Sequence, residues 1–206
     1  MIASSRAGGY SVAGRDRGRS VRGVTEPIEI RQLTLDDLRL IGEIDRSERQ
    51  HVQYSVVDGQ LQSNPFEFDV PAWDPVGDGF HSIGSMIAFA GPIVERGAAF
   101  LGAFVGSDFA GLVIVEHHHE REMAWLALLH VDRSHRRGGV ASLLWEAAMN
   151  RARASGATGM YVSATPSDSA VGFYLSRGCR LAARSELNDQ LYAHEPDDIH
   201  MICELR

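Results

Sequence analysis

The sequence predicts a mixed α/β (α+β) domain in which helices flank a mostly antiparallel central sheet. Three stretches carry that expectation. Ala98–Val105 and Phe109–Val115 are apolar runs joined at Gly106-Ser107-Asp108, a hairpin composition that makes the two strands antiparallel. Trp125–Val131 is an apolar run of strand length that leads through His135-Arg136-Arg137-Gly138-Gly139 into Ser142–Ala154, which reads as a helix. Met160–Ala164 is then a further strand, parallel to Trp125–Val131 because a helix connects the two.

Taken in order, residues 1–25 are rich in Gly, Ser and Arg, with no apolar period. They are expected to be a disordered basic extension ahead of a single domain over 26–206, because they cannot bury enough surface to offset chain entropy. This stretch has no apolar core of a secretory signal, and Gly8, Gly9, Gly14, Gly18 and Gly23 disfavour an amphipathic transit helix. Pro27–Leu33 alternates as a strand, and Thr34 is placed to cap a helix with Asp36 and Asp37 in its first turn. Leu35, Leu38, Ile41 and Ile44 fall at helical spacing and predict a helix to about Arg49. Val52–Val57 reads as a strand that ends at an Asp58-Gly59 turn and pairs with the residues after that turn. The remainder of 51–91, with Pro65, Pro71, Pro75, Phe66, Phe68, Trp73 and Phe80, reads as a functional connection that either shapes an acceptor pocket or covers a homodimer seam. His117-His118-His119 tempts a metal reading, but strand neighbours point to opposite faces, so a polar turn is expected and no metal. Ser169–Arg177 is a helix ending at Gly178, and Cys179–Ala183 and His200–Leu205 are the last strands. A polar loop holding Asp189, Glu195, Asp197 and Asp198 separates them.

Composition narrows the function classes. With 206 residues and 44% hydrophobic content the chain can bury a sizeable core, and no apolar run approaches the ~18 residues of a membrane span. Cys179 and Cys203, far apart in sequence, give no disulfide framework; free buried thiols in a reducing, cytoplasmic setting are expected. The net charge of −7 argues against a nucleic-acid partner. Arg6, Arg15, Arg17, Arg19 and Arg22 against Asp16 give residues 1–24 a charge of +4, so the remainder carries −11. Such an acidic body suits a cationic amine as well as mere solubility.

The strand-to-helix passage at 131–142 suits a phosphate. The first N–H groups of a helix lack intrahelical partners, the macrodipole is positive there, and Gly138 and Gly139 leave the backbone bare. Arg136-x-x-Gly139-x-Ala141 resembles the Gln/Arg-x-x-Gly-x-Gly/Ala signature of the GNAT superfamily of acyl-CoA-dependent N-acetyltransferases, with Leu129-His130-Val131 directly upstream at the family's spacing. Ser167-Asp168-Ser169-Ala170-Val171-Gly172-Phe173-Tyr174-Leu175-Ser176-Arg177-Gly178-Cys179 looks like the family's Asn-x-x-Ala-x-x-x-Tyr-x-x-x-Gly-Phe element. The resemblance covers Ala98–Arg184 and, more loosely, Pro27–Arg206. It implies a sheet splayed between its fourth and fifth strands, Trp125–Val131 and Met160–Ala164. It also implies acetyl-CoA as cosubstrate, with the pantetheine arm along backbone near Leu129, His130 and Val131. The phosphates would lie on Arg136, Arg137, Gly138, Gly139, Val140, Ala141 and Ser142, with Ser167 in place of the family's Asn.

The same resemblance puts Tyr174 where the family's general acid protonates the departing coenzyme A sulfur. Three positions depart from it: Ser167 stands for the Asn, Cys179 for the aromatic after Gly178, and Trp125 for the glutamate that many members carry on the fourth strand. The base is therefore open among Glu122, Glu43, Glu48, His130 and the histidines near 118, or a water chain, with Glu122 the provisional choice. The leading expectation is an N-acetyltransferase moving acetyl to a primary amine, most readily a small molecule, by direct attack in a ternary complex. Two readings stand beside it: a non-catalytic acyl-CoA-binding or sensory domain, and a protein N-terminal or lysine acetyltransferase.

Overall fold

The computed structural model describes residues 26–119 and 122–205; the expected disorder of residues 1–25 lies outside them. Its strands are β1 (Ile28–Gln32), β2 (Glu48–Val57), β3 (Gln60–Val70), β4 (Ala99–Val105), β5 (Asp108–His119), β6 (Met123–Val131), β7 (Gly159–Ala164), β8 (Arg180–Leu181) and β9 (Ile199–Glu204). Its α-helices are α1 (Ile83–Glu95), α2 (Val140–Ala154), α3 (Asp168–Ser176) and α4 (Asp189–His194). Seven strands form one sheet in the order β1-β4-β5-β6-β7-β9-β8, and β2 and β3 form a separate hairpin. Only β6 and β7 pair in parallel among the described strands, so the sheet is mixed and mostly antiparallel, as the sequence predicts.

Both faces of the sheet are covered. Alternate residues of β5, β6, β7 and β9 such as Val113, Leu126, Val162 and Met201 pack under α2 and α3, against Leu144, Ala148 and Val171. The opposite set, including Phe100, Leu112, Ile114, Trp125 and Tyr161, packs under α1 and the segment 33–44. Burial of these side chains drives the layering, at roughly 25 cal/mol for each Å² of apolar area removed from water.

Several elements differ from expectation. The first helix is a 3-10 helix, Leu35–Glu43, and stops well short of Arg49. It is opened by Asp37, whose carboxylate accepts from both the N–H and the hydroxyl of Thr34 at 2.8 Å. It closes because Asp45 accepts from Ser47 N–H (2.9 Å), a side-chain turn that competes with helix. The Asp58-Gly59 turn is as predicted, with φ of 50° and 74° joining β2 to β3 in the primed geometry that hairpins favour. α1 is unexpected, because it occupies part of the segment read as a connection; Pro92 is accommodated in its last turns and Ser82 Oγ caps it, accepting from Ser85 N–H at 3.1 Å. His117–His119 extend β5 rather than forming the turn. α4 occupies part of the expected polar loop, capped by Asn188 Oδ1, which accepts from Leu191 N–H at 2.8 Å.

The cysteines are not free. β8 returns beside β9 with Arg180 opposite Ile202, which brings Cys179 against Cys203. Their Cα atoms lie 4.2 Å apart and the sulfurs are bonded. A separation of 24 residues carries no sequence signal for that contact; only the sheet order creates it.

Candidate active site

β6 and β7 pair only from Met123–Leu126 against Gly159–Val162. Beyond that point they part. Ile114 faces Leu128 while Val115 faces Leu126, so Ala127 is an extra residue in β6, and a bulge of this kind bends its strand. β7 continues with β9 instead, Ser163 opposite His200 and Ala164 opposite Ile199. The half of β6 from Ala127 to Val131 is thus open on its β7 side. Asp132 N–H donates to Ala110 O at 3.0 Å on the β5 side. Strand alternation therefore turns the backbone groups of Val131 and Leu129 into the opening, while the His130 side chain sits on the α1 face, 5.1 Å edge-on from Trp73.

The open strand ends in a turn of bare backbone that leads into α2. A short 3-10 turn, Arg133–His135, leads to Arg137 at φ 66° and to Gly139, the N-cap of α2, at φ 89°. A Cβ at Gly139 would meet nothing within 4 Å, so the outer side of the turn is bare backbone. Leu143 N–H makes the first helical bond, to Gly139 O at 3.1 Å, which leaves the N–H groups of Val140, Ala141 and Ser142 without helical acceptors. With Gly138 they present donors and the positive end of the α2 dipole to one region, a ready anion site.

The two loop arginines part company. Arg137 is exposed, whereas Arg136 is turned toward segment 46–48. Its guanidinium donates to Val131 O (3.2 Å), Ser47 O (3.1 Å) and Arg46 O (2.9 Å) and pairs with Glu48 at 3.3 Å. Arg136 is a tether here, not a free cation at the loop. A second cation, absent from the sequence expectation, comes from α3: Arg177 lies 4.9 Å over the Phe173 ring and donates to Ser142 Oγ in the first turn of α2. It falls between Tyr174 and Gly178, at a position the family pattern leaves unspecified, so the motif carries no signal for it. Ser167 is 1% exposed, and its hydroxyl is spent as the α3 N-cap, accepting from Ala170 N–H at 3.1 Å.

Tyr174 is buried against Trp145, ring centroids 5.7 Å apart. Burial, with the charge of Asp198 added, pushes its phenol well above the ordinary value, so it holds its proton at neutral pH. Asp198 is the group sequence reasoning missed. Its carboxylate is half-buried just before β9 and accepts from Ser163 Oγ at 3.2 Å, where β7 has left β6. Burial, then Glu195 and Asp197, raise it to about 6 against the opposing pull of the Ser163 bond. The loop that carries it is held by a buried relay. Asn188 N–H donates to Tyr161 Oη (3.2 Å), the Tyr161 hydroxyl donates to His200 Nδ1 (2.8 Å), and His200 Nε2 donates to Glu195 O (3.0 Å). The carbonyl can only accept, which assigns that tautomer.

Of the expected bases, Glu122 lies at the opposite end of β6, exposed, at φ 59°. Four residues of strand, about 13 Å, separate it from the opening. Glu43 pairs with Arg39 (3.5 Å), and Glu48 is engaged by Arg136, Ser169 and Gln50. Burial first, then Arg46, Arg136 and His81, push His130 down to about 3, too low for a useful base. Trp125 is core, 6.0 Å edge-on from Phe89. Among the described residues no group of three His, Cys, Asp or Glu is placed to hold a metal ion.

Known proteins share this architecture. Nourseothricin acetyltransferase superposes with a TM-score of 0.66 at 19% identity, covering 87% of this chain and 99% of its own. A protein named as a streptothricin acetyltransferase from Bacillus anthracis str. Ames, solved with acetyl coenzyme A, gives 0.59 at 18%, covering 87% and 98%. The ribosomal-protein-S18-alanine N-acetyltransferase of Escherichia coli gives 0.53 at 16%, covering 87% and 94%. No curated protein matches the sequence. Residues 70–179 match the model of the acetyltransferase (GNAT) family, more than half of the chain. The chain therefore belongs to the GNAT family, as an N-acetyltransferase whose acetyl donor is acetyl-CoA.

Proposed function

We propose that the protein acetylates the primary amine of a small molecule by direct attack of that amine, both substrates being held at once. One observation carries the small-molecule reading. The β2–β3 hairpin reaches over the open end of the splay: Tyr54 N–H donates to Pro166 O (3.0 Å), Gln53 bridges to Ser167, and Glu48 joins Arg136 to Ser169. A folded protein or a long peptide would have to displace that hairpin, whereas a small amine would not. The neighbours named for nourseothricin and streptothricin support the same reading.

Acetyl-CoA supplies an activated thioester, and the residues present fit it. Gly138, Gly139, Val140, Ala141 and Ser142 offer backbone donors for the diphosphate, and Arg137 and Arg177 offer charge beside them. Leu129 and Val131 offer a strand edge for the pantetheine. Tyr174 keeps its proton for the departing sulfur, and Asp198, rather than Glu122, takes the proton of the amine. A carboxylate that titrates near 6 is ionised at neutral pH and still basic enough to accept it.

The test is calorimetric. Acetyl-CoA and desulfo-CoA should both bind wild type, and Gly139→Glu, which sets a carboxylate where the phosphates lie, should abolish both. An amine screen with thiol-release detection comes next. Absence of coenzyme binding to wild type would remove the reading.

A further inference from the structure

On the α1 face, the end of β6 abuts a corner of donors that have nothing to donate to. The Arg46 guanidinium stands 4.6 Å over the Trp73 ring, and Trp73 meets His130 edge-on at 5.1 Å. Trp73 is only 7% exposed. Its Nε1–H and Arg46 Nη1 are both buried without a hydrogen-bond partner among the described residues. Such orphans call for an explanation, because buried polar groups are nearly always satisfied. Glu48 is the acid that acts on Arg46, yet its carboxylate is already engaged by Arg136 and Ser169 and forms no ion pair with Arg46. His81 and His130 are both held neutral, by burial and by the Arg46 charge.

The corner therefore combines a guanidinium with one unpartnered N–H group and a buried indole donor. A cationic or purely apolar group placed there would leave both unsatisfied. A carboxylate would accept from both with its two oxygens, and the planar arginine fork suits that geometry. The location is on the acceptor side: across the sheet from α2 and α3, beside the half of β6 that β7 has left open.

We propose that Arg46, Trp73 and His130 form the subsite for a carboxylate of the acceptor, so that the substrate is a small amine carrying a carboxylate, of amino-acid type. The proposal rests on the acetyltransferase reading above and narrows it. It runs against the acidic net charge, which alone suggests a cationic acceptor; the charges that act on His130 at this corner, Arg46 and Arg136, are positive.

The experiment uses the full chain saturated with acetyl-CoA and matched probes, the free L-amino acids and their amides. Binding is read by calorimetry and melting temperature, turnover by thiol release. At least one free amino acid should bind and turn over with kcat/KM at least 30-fold above its amide. Trp73→Phe, which keeps the ring stacking but removes the N–H, and Arg46→Gln should each erase that ratio through KM while leaving acetyl-CoA affinity within twofold. Amides that bind as well as acids, no carboxylate binding at all, or variants that keep the ratio would each overturn the proposal. Acetyl-CoA that fails to bind wild type sinks the parent reading instead, and this one with it, so the two failures are distinguishable.

Discussion

Tyr174 lies on α3, buried against Trp145, and Asp198 lies just before β9; the Asp198 charge adds to the burial that raises the Tyr174 phenol. Burial is the first cause of both shifts, and each raises the group's proton affinity, as an acid and a base in one transfer require. If these are their roles, Tyr174→Phe should lower kcat about 100-fold with acetyl-CoA affinity unchanged. Wild-type kcat/KM should rise with pH through about 6, and Asp198→Asn should lose that limb. The same variant makes a second, independent prediction. The folded carboxyl binds its proton more tightly than the unfolded one, whose ordinary value is 3.8, so the stability it contributes below that value is lost as pH rises through about 6. At about 1.4 kcal/mol per unit the ceiling is about 3 kcal/mol, and partial exposure screens it to about 1–2 kcal/mol. Asp198→Asn should therefore be slower yet more stable than wild type at pH 7 and equally stable at pH 3, read by denaturant melts. A purely structural aspartate would show the opposite sign.

At the scale of elements, the hairpin β2–β3 is tied across the end of β6 and the start of α3. Two strands alone are marginal in water, so the hairpin depends on what it is tied to. Glu48 is the chief knot, bonded at once to Arg136, Ser169 and Gln50. Glu48→Ala should cost about 1 kcal/mol and speed amide exchange over residues 48–57, with α1 and β4–β6 unaffected; uniform exchange throughout would show that the hairpin is not an independent unit. None of this clamp is legible in the sequence. The strand and its Asp58-Gly59 turn are, because turn chemistry is local, as are the β4–β5 hairpin, the glycine turn into α2, and α3. What escapes is non-local. Glu48 and Arg136 are 88 residues apart. Asp198 becomes significant only through the β7–β9 pairing, and α1 is hidden by glycine and proline that its packing tolerates.

For the molecule as a whole, the Cys179–Cys203 bond closes the segment that holds β8, α4 and Asp198. It ties the end of α3, which carries Tyr174, to the last strand of the sheet. A crosslink acts mainly by restricting the unfolded chain, and a loop of this length contributes about 3 kcal/mol in the chain-entropy account. Reduction should lower the melting temperature by roughly 6–12 °C for a domain of this size. It should also act on catalysis unevenly. The end of β6 and the first turn of α2, proposed above for the diphosphate, lie outside the closed segment, so acetyl-CoA affinity should hold. The Asp198 carboxyl belongs to it and is held by Glu195 and His200 within the segment and by Ser163 across the sheet, so turnover should fall and the acid limb of the pH profile should broaden. Thiol titration of the denatured protein should find none before reduction and two after, because Cys179 and Cys203 are the only cysteines of the chain. Two thiols without reductant would mean the pair is open in solution, and the Asp198 loop would then be held without a covalent tie, by the Tyr161–His200 relay, the Ser163 bond and the strand pairing of β9.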